Sequence, residues 1–190
     1  MGGVFEPTAV ERPTKLIKKT ITTTSKSFHQ KPEINQSNYN RTLTDLIDTE
    51  KFASSLPLGV PAKDSYYTTS KFGYRSDPFA KVKAVHRGQD MVISTRKIYA
   101  PQDGRVSFRG QKTGYGNVLE LDHFKGYDKI STRYAHLAEF KVNQGDRVKK
   151  GDLIAIQGST GRSTRSHLHY EVLINNQQVD PMKFMKAKKV

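Results

Sequence analysis

Three short segments hold the residues best equipped for chemistry: His86-Arg87-Gly88-Gln89-Asp90, Tyr134-Ala135-His136-Leu137 and Ser166-His167-Leu168-His169-Tyr170-Glu171. Together they use four of the six histidines. In a strand, residues i and i+2 project from one face, so His167 and His169 point to one side while Leu168 and Tyr170 point to the other. His86 and Asp90 have the spacing that stacks two side chains on one helical face. Gly88 between them and the surrounding β pattern favour a turn entering a strand instead, from which both still reach one point. Taken singly, a His-x-His is as readily two solvated histidines on a polar strand face, and a histidine near an aspartate is commonly an ion pair or nothing. The combination points further. The chain has no cysteine, so any metal must be held by imidazole and carboxylate. A catalytic zinc needs three protein ligands and an open fourth position. Two histidines and one carboxylate set a single negative charge against Zn²⁺, so the complex stays positive and lowers the pKa of a bound water toward ~7. Two imidazoles remain, and one near that water can accept its proton.

The elements that must position these residues read as short strands. From Tyr66 onward, candidate strands are Lys97 to Ala100, Arg105 to Phe108, Val118 to Leu121, Ile130 to His136, Leu153 to Gln157 and His167 to Ile174, separated by glycine-containing turns. No stretch after residue 67 sustains a helical period for ten residues. About 120 residues of such strands bury roughly two-thirds of their unfolded surface, enough for one sandwich-like core. The class is all-β, with residues 68–190 as the domain.

Residues 1–67 read as an arm and linker. The first forty are polar and have little to bury. A short helix is expected over 43–53, capped by Thr42, with Leu43, Leu46 and Ile47 on one face. Leu56-Pro57-Leu58-Gly59-Val60-Pro61 is a linker expected to pack on whatever follows. The arm carries nine basic and seven acidic residues, the remaining 123 residues twenty-three and eleven. The net charge of +14 therefore belongs almost wholly to the domain.

Composition excludes several classes. Without cysteine there is no disulfide scaffold, thiolate zinc finger, iron–sulfur site or cysteine nucleophile. No apolar run approaches the ~20 residues of a membrane span, and no secretory signal pattern stands at the start. The basic excess suits anionic cell-wall polymers as well as phosphates. No helix for a major groove and no aromatic-rich strand of the single-strand-binding type supports nucleic acid.

The three segments, in order, resemble the lysostaphin/LytM-type zinc metallopeptidases. The resemblance spans roughly residues 66–184. It includes Phe72-Gly73-Tyr74-Arg75, Tyr115-Gly116-Asn117-Val118, the glycine-flanked Gly158-Ser159-Thr160-Gly161 run before His167, and Asp180-Pro181. Val142 to Asp152 fits the family's hairpin, which lipoyl- and biotinyl-type carrier domains share. The resemblance implies an antiparallel β-sandwich of that catalytic-domain type and one Zn²⁺ per chain. It assigns His86, Asp90 and His169 as zinc ligands and His136 and His167 as the catalytic pair. It implies cleavage of peptidoglycan stem-peptide cross-links by zinc-activated water, with Tyr74, Tyr115, Asn117 and Arg133 as candidate substrate contacts, although the glycines favour a plain hairpin turn at Tyr115-Gly116-Asn117. A monomer in the cell envelope or outside the cell is expected. The lysostaphin branch places a tyrosine six residues before the first ligand, where Ala80 stands here. Phe72 to Pro78 looks more like the branch that cuts D-alanyl bonds to a diamino acid than the glycyl-glycine branch. The alternative is a non-catalytic relative that binds cell wall or a divisome partner; such relatives typically lack a ligand, and none is missing. His29 and His123 match no motif position and are expected on the surface.

Overall fold

A computed structural model describes residues 51, 54–76, 83–125 and 129–185. The alternating pattern and its turns produce strands β1 (Tyr66–Ser70), β2 (Gly73–Ser76), β3 (Lys83–His86), β4 (Gln89–Ile93), β5 (Lys97–Tyr99), β6 (Gly104–Lys112) and β7 (Gly116–Lys125). They continue as β8 (Lys129–Ala135), β9 (Leu137–Phe140), β10 (Arg147–Val148), β11 (Leu153–Gln157), β12 (Leu168–Ile174) and β13 (Gln177–Val179), then one helical turn, α1 (Met182–Met185). The largest sheet runs β1-β4-β12-β8-β7-β6-β10, with β13 beside β12. A second sheet is β5-β11-β9, and β2 pairs with β3 as a separate ribbon. All pairings are antiparallel.

The two larger sheets share one core. Met91, Leu119, Leu121, Tyr134, Leu168 and Tyr170 from the first meet Ile98, Leu137 and Ile154 from the second. This is the all-β class expected from the pattern and the antiparallel sandwich that the resemblance implied. Each fully buried side chain of this size contributes about 1.5–3 kcal/mol of transfer free energy. Central β12 is buried on both faces: Leu168, Tyr170 and Val172 enter the core, while His169 and Glu171 lie on the other side.

All six predicted strands form. β6 and β7 extend several residues beyond their predicted ends, because their ladder continues through polar residues from Arg105↔Asp122 to Lys112↔Gly116. His136 lies just outside its predicted strand, in the left-handed region at φ 60°. The strands between residues 66 and 93 have only four or five residues each and mix polar with apolar side chains, which hid them from periodicity. His123 is half-buried rather than on the surface. Its Nδ1 donates to the Asp103 carbonyl at 2.8 Å and its Nε2 accepts from the Thr132 hydroxyl at 2.8 Å. The polar partners, one just before β6 and one on β8, make that placement tolerable.

Residues 54–65 pack on the domain. Gln102 Nε2 donates to the Ser54 carbonyl, Gly59 N to the Phe184 carbonyl and Tyr99 N to the Pro61 carbonyl, while Val60 and Ala62 lie against the core. The expected helix over 43–53 lies outside the described residues except at Lys51, whose carbonyl accepts from Ser54 Oγ and Ser55 Oγ. His29 and residues 77–82, with Ala80, also lie outside them.

Candidate metal centre and active site

Register brings the distant segments together. β4 pairs with β12 so that Asp90 stands opposite His169, and β12 pairs with β8 so that His169 stands opposite Ala135, next to His136. β3 pairs with β2, ends at His86 and turns through Arg87-Gly88 into β4. Gly88 is required there. A Cβ would lie 2.7 Å from His169 Cε1 and 2.7 Å from the Tyr170 carbonyl oxygen, so only hydrogen leaves room for the ring. A second close approach locks the far wall. Gly116 and Gly161 both have positive φ, and a Cβ on Gly161 would meet Gly116 N at 2.3 Å. That contact ties the Tyr115 turn to the Thr160 backbone, whose carbonyl holds His136.

His86, Asp90 and His169 converge. His86 Nε2 lies 3.0 Å from Asp90 Oδ1 and 3.1 Å from His169 Nδ1, and His169 Nδ1 lies 2.8 Å from Asp90 Oδ1. All three residues are buried, with no more than 7% exposure. The outer ring nitrogens are tied back: His86 Nδ1–H donates to the Lys71 carbonyl at 2.8 Å and His169 Nε2–H to Glu171 Oε1 at 3.1 Å. A neutral imidazole donates from one nitrogen only, so the inner nitrogens direct lone pairs at each other and at a carboxylate oxygen. Such an array repels itself unless positive charge stands within it. Three donors around a zinc with ~2.0–2.1 Å bonds lie about 3.3 Å apart, close to these separations. Two imidazoles and a carboxylate are a zinc donor set, so the residues fit that ion.

The electrostatics agree. Burial works against ionisation of Asp90, but the His169 and His86 imidazoles in contact with it outweigh burial and hold the carboxyl far below its usual range. Burial likewise opposes charge on His169, yet Asp90 and Glu171 on either side raise its pKa above the ordinary imidazole value. The centre draws positive charge to this point.

His136 and His167 stand together beside the cluster, ring centroids 4.8 Å apart. His136 Nδ1–H donates to the Thr160 carbonyl at 2.7 Å, and His167 Nδ1–H to the Arg165 carbonyl at 2.8 Å. Both therefore present Nε2 with a free lone pair, and His167 Nε2 lies 3.7 Å from Asp90 Oδ1. Burial, assisted by the neighbouring His167 and His169, pushes His136 down to about 4, so it is neutral and able to accept a proton. The left-handed backbone of His136 is costly for a residue with a side chain, and it aims the ring into the site.

These residues floor an open groove of about 800 Å³ whose walls carry Tyr67, Arg75, Arg87, Arg162 and Arg165. The four expected substrate contacts divide. Tyr115 lines the groove, and its hydroxyl donates to Glu171 at 2.9 Å. Tyr74 is exposed on β2. Asn117 faces a neighbouring cavity, and its Nδ2 donates to the Leu137 carbonyl. Arg133 lies behind the cluster, paired with Glu120 and Glu171. The turn at 113–115 is the β6–β7 hairpin turn and a groove wall at once. Sequence reasoning assigned no part to Glu171, to the Lys71 carbonyl or to Arg75, whose guanidinium lies 3.6 Å from Asp90 Oδ2. For Glu171 a signal existed: it shares its strand face with His167 and His169.

Known proteins resemble this chain in sequence and fold. The pattern of peptidase family M23 matches residues 84–181, a span that includes the five candidate residues. DD-carboxypeptidase/endopeptidase Mpg of Neisseria meningitidis is 43% identical over 115 residues, covering 60% of this chain and 26% of that protein. The chain thus spans about a quarter of that relative's length. A zinc-containing peptidase from Vibrio cholerae superposes with a TM-score of 0.59 at 36% identity, over 68% of this chain and 39% of that one. The catalytic domain of lysostaphin from Staphylococcus simulans gives 0.57 at 30% identity, over 64% of this chain and 93% of that domain. With more than half of its residues under that pattern and the sandwich fold of its structural relatives, this chain belongs to peptidase family M23.

Proposed function

We propose that the chain is a zinc-dependent peptidoglycan endopeptidase that cuts peptide cross-links, D-alanyl bonds to a diamino acid in preference to glycyl-glycine bonds. The observation that carries this is the convergence of His86, Asp90 and His169 beside two further imidazoles with free Nε2 atoms, at the floor of one groove. His86 Nε2, Asp90 Oδ1 and His169 Nδ1 would hold one zinc ion. Bound there, the ion supplies a Lewis acid for a peptide carbonyl and acidifies an attacking water. His136 and His167 do the proton work: a neutral Nε2 takes a proton from the water and returns it to the leaving amine. The protonated imidazole also faces the negative charge that develops on the carbonyl oxygen.

Groove charge supports the bond preference. Its walls carry Arg75, Arg87, Arg162 and Arg165, against Asp90 as the carboxylate lining it. A cross-linking diamino acid with a second carboxyl group keeps a free carboxylate beside the scissile bond, and a glycine bridge carries none. Arginine pairs with carboxylates through its planar fork of donors. A substrate of this kind would put the protein at the cell envelope or outside the cell. Among the described residues no helix is long and apolar enough to cross a membrane.

The test is mass spectrometry of products from purified sacculi of both cross-link types, with and without chelator. Chelator-sensitive release from the diamino acid type is expected, with little from the glycine-bridged type. Equal release from both removes the bond preference. No release from either by zinc-loaded protein leaves a wall-binding relative instead.

A further inference from the structure

The carboxylate of Glu171 is fully buried on the side of β12 away from the core. An anion placed there without partners would be strongly destabilising. It has four. His169 Nε2–H and the Tyr115 hydroxyl donate to Oε1 at 3.1 and 2.9 Å, and Arg133 and Gln178 donate to Oε2 at 2.7 and 3.4 Å. The partners continue across the sheet. Glu171 stands directly opposite Arg133 in the β12–β8 ladder, and Arg133 directly opposite Glu120 in the β8–β7 ladder. Arg133 Nε bonds Glu120 Oε1, and Lys112 Nζ reaches the same oxygen at 2.7 Å. Behind the His169 ring, charges therefore alternate along one row: carboxylate, guanidinium, carboxylate, ammonium. Tyr115 closes it from above, edge-on to His169 at 5.6 Å and with Arg133 5.4 Å from its ring centre.

We infer that Glu171, backed by Arg133 and Glu120 and covered by Tyr115, is a positioning residue that holds His169 with its Nδ1 lone pair on the metal site. The inference rests on the zinc reading above. A histidine whose Nε2–H has a fixed carboxylate acceptor keeps Nδ1 free and its ring in one orientation, and the added negative charge makes Nδ1 a better donor. Arg133 fixes the carboxylate without neutralising its contact to the ring, because it bonds Oε2 and leaves Oε1 to His169 and Tyr115. Tyr115 thereby acts from beneath the groove wall as well as upon it.

The test is a zinc competition titration against a chromogenic chelator on the whole chain. It compares wild type, Glu171→Gln and Tyr115→Phe, together with the visible spectrum of each cobalt-loaded form and the thermal unfolding of each metal-free form. Glu171→Gln keeps a carbonyl for Nε2–H and leaves Arg133 its bond to Glu120, so the metal-free fold is expected to hold. Its zinc dissociation constant should rise about 10- to 100-fold, with an altered cobalt spectrum. Tyr115→Phe, which deletes one hydrogen bond, should raise it about threefold to fivefold. Wild-type zinc affinity in Glu171→Gln overturns the inference, as does a wild type that takes up no zinc. If metal-free Glu171→Gln unfolds, Tyr115→Phe decides: weaker zinc binding supports the role, and unchanged binding overturns it. No substrate enters this titration, so failure of the peptidase reading registers in the sacculus digest and failure of this one in the zinc constant.

Discussion

His169 and His123 are both set among strands with both ring nitrogens engaged, yet their surroundings treat charge in opposite ways. His169 lies between two carboxylates, and its pKa is raised. His123 lies between a backbone carbonyl and a hydroxyl, and burial lowers its pKa despite the nearby Asp122 and Asp103. The rings are the same and both are desolvated. What differs is the number of anionic oxygens that touch them. A carboxylate in contact outweighs desolvation, whereas a neutral acceptor does not. One imidazole thus lies in the candidate metal cluster and the other pins neighbouring segments together.

The sharpest way to break this contrast is to remove the anion from the candidate metal cluster. Asp90→Ala should abolish stoichiometric zinc, measured by elemental analysis. Peptide release should drop by about a thousandfold or more, the several kcal/mol of charge stabilisation a metal supplies. Retained zinc would show that the inner nitrogens alone suffice. Next in size are His136→Ala and His167→Ala, each expected to cost roughly 10²–10⁴ in rate through loss of proton transfer while zinc content stays at wild type. Loss of zinc with either substitution would make that histidine a ligand.

Gly88→Ala probes the packing around His169. Its Cβ would press on a backbone carbonyl that cannot swing aside, so a destabilisation of about 1–3 kcal/mol with weakened zinc binding is expected in thermal melts and chelator titration. An unperturbed melt would show that the β3–β4 turn yields easily. A comparable but non-catalytic loss should follow from removing residues 1–65 rather than 1–53. The longer cut deletes Val60, Ala62 and the backbone bonds to Tyr99 and Phe184, worth about 2–4 kcal/mol together. A midpoint lower by roughly 5–15 °C for the longer cut alone is expected.

The smallest effect concerns His123. Its folded pKa lies below the ordinary value of 6.5, so the unfolded chain binds the proton more readily. The stabilisation is complete above that ordinary value and is lost as pH falls through it toward the folded value. His123→Asn should flatten the acid side of the melting-temperature profile while leaving the zinc constant unchanged. An equally steep acid side would assign the loss to other groups.

Much of this was legible in the chain, for reasons that can be named. His167 and His169 lie on one side of β12 and Leu168 and Tyr170 on the other because strand geometry has a period of two. The six strands with apolar alternation were visible because they line a core. β1 to β3 were not, since they carry few buried apolar side chains, and β4 was not, since its core residues Met91 and Ile93 share a five-residue strand with the buried polar Gln89 and Asp90. The extent of β6 and β7 was hidden because backbone bonding between partners continues where side chains stop alternating.

The sequence by itself determined the all-β class through local periodicity and the donor types available to a metal through composition, while His86, Asp90, His136, His167 and His169 were candidates through a family resemblance carried by ordered motifs. Only the tertiary structure decided which ring nitrogen of each histidine faces inward, how Glu171, Arg133 and Glu120 line up behind His169, and that His123 is a pin. Each of these depends on register between strands far apart in the chain, and a change of one residue in register would turn every such side chain to the opposite face.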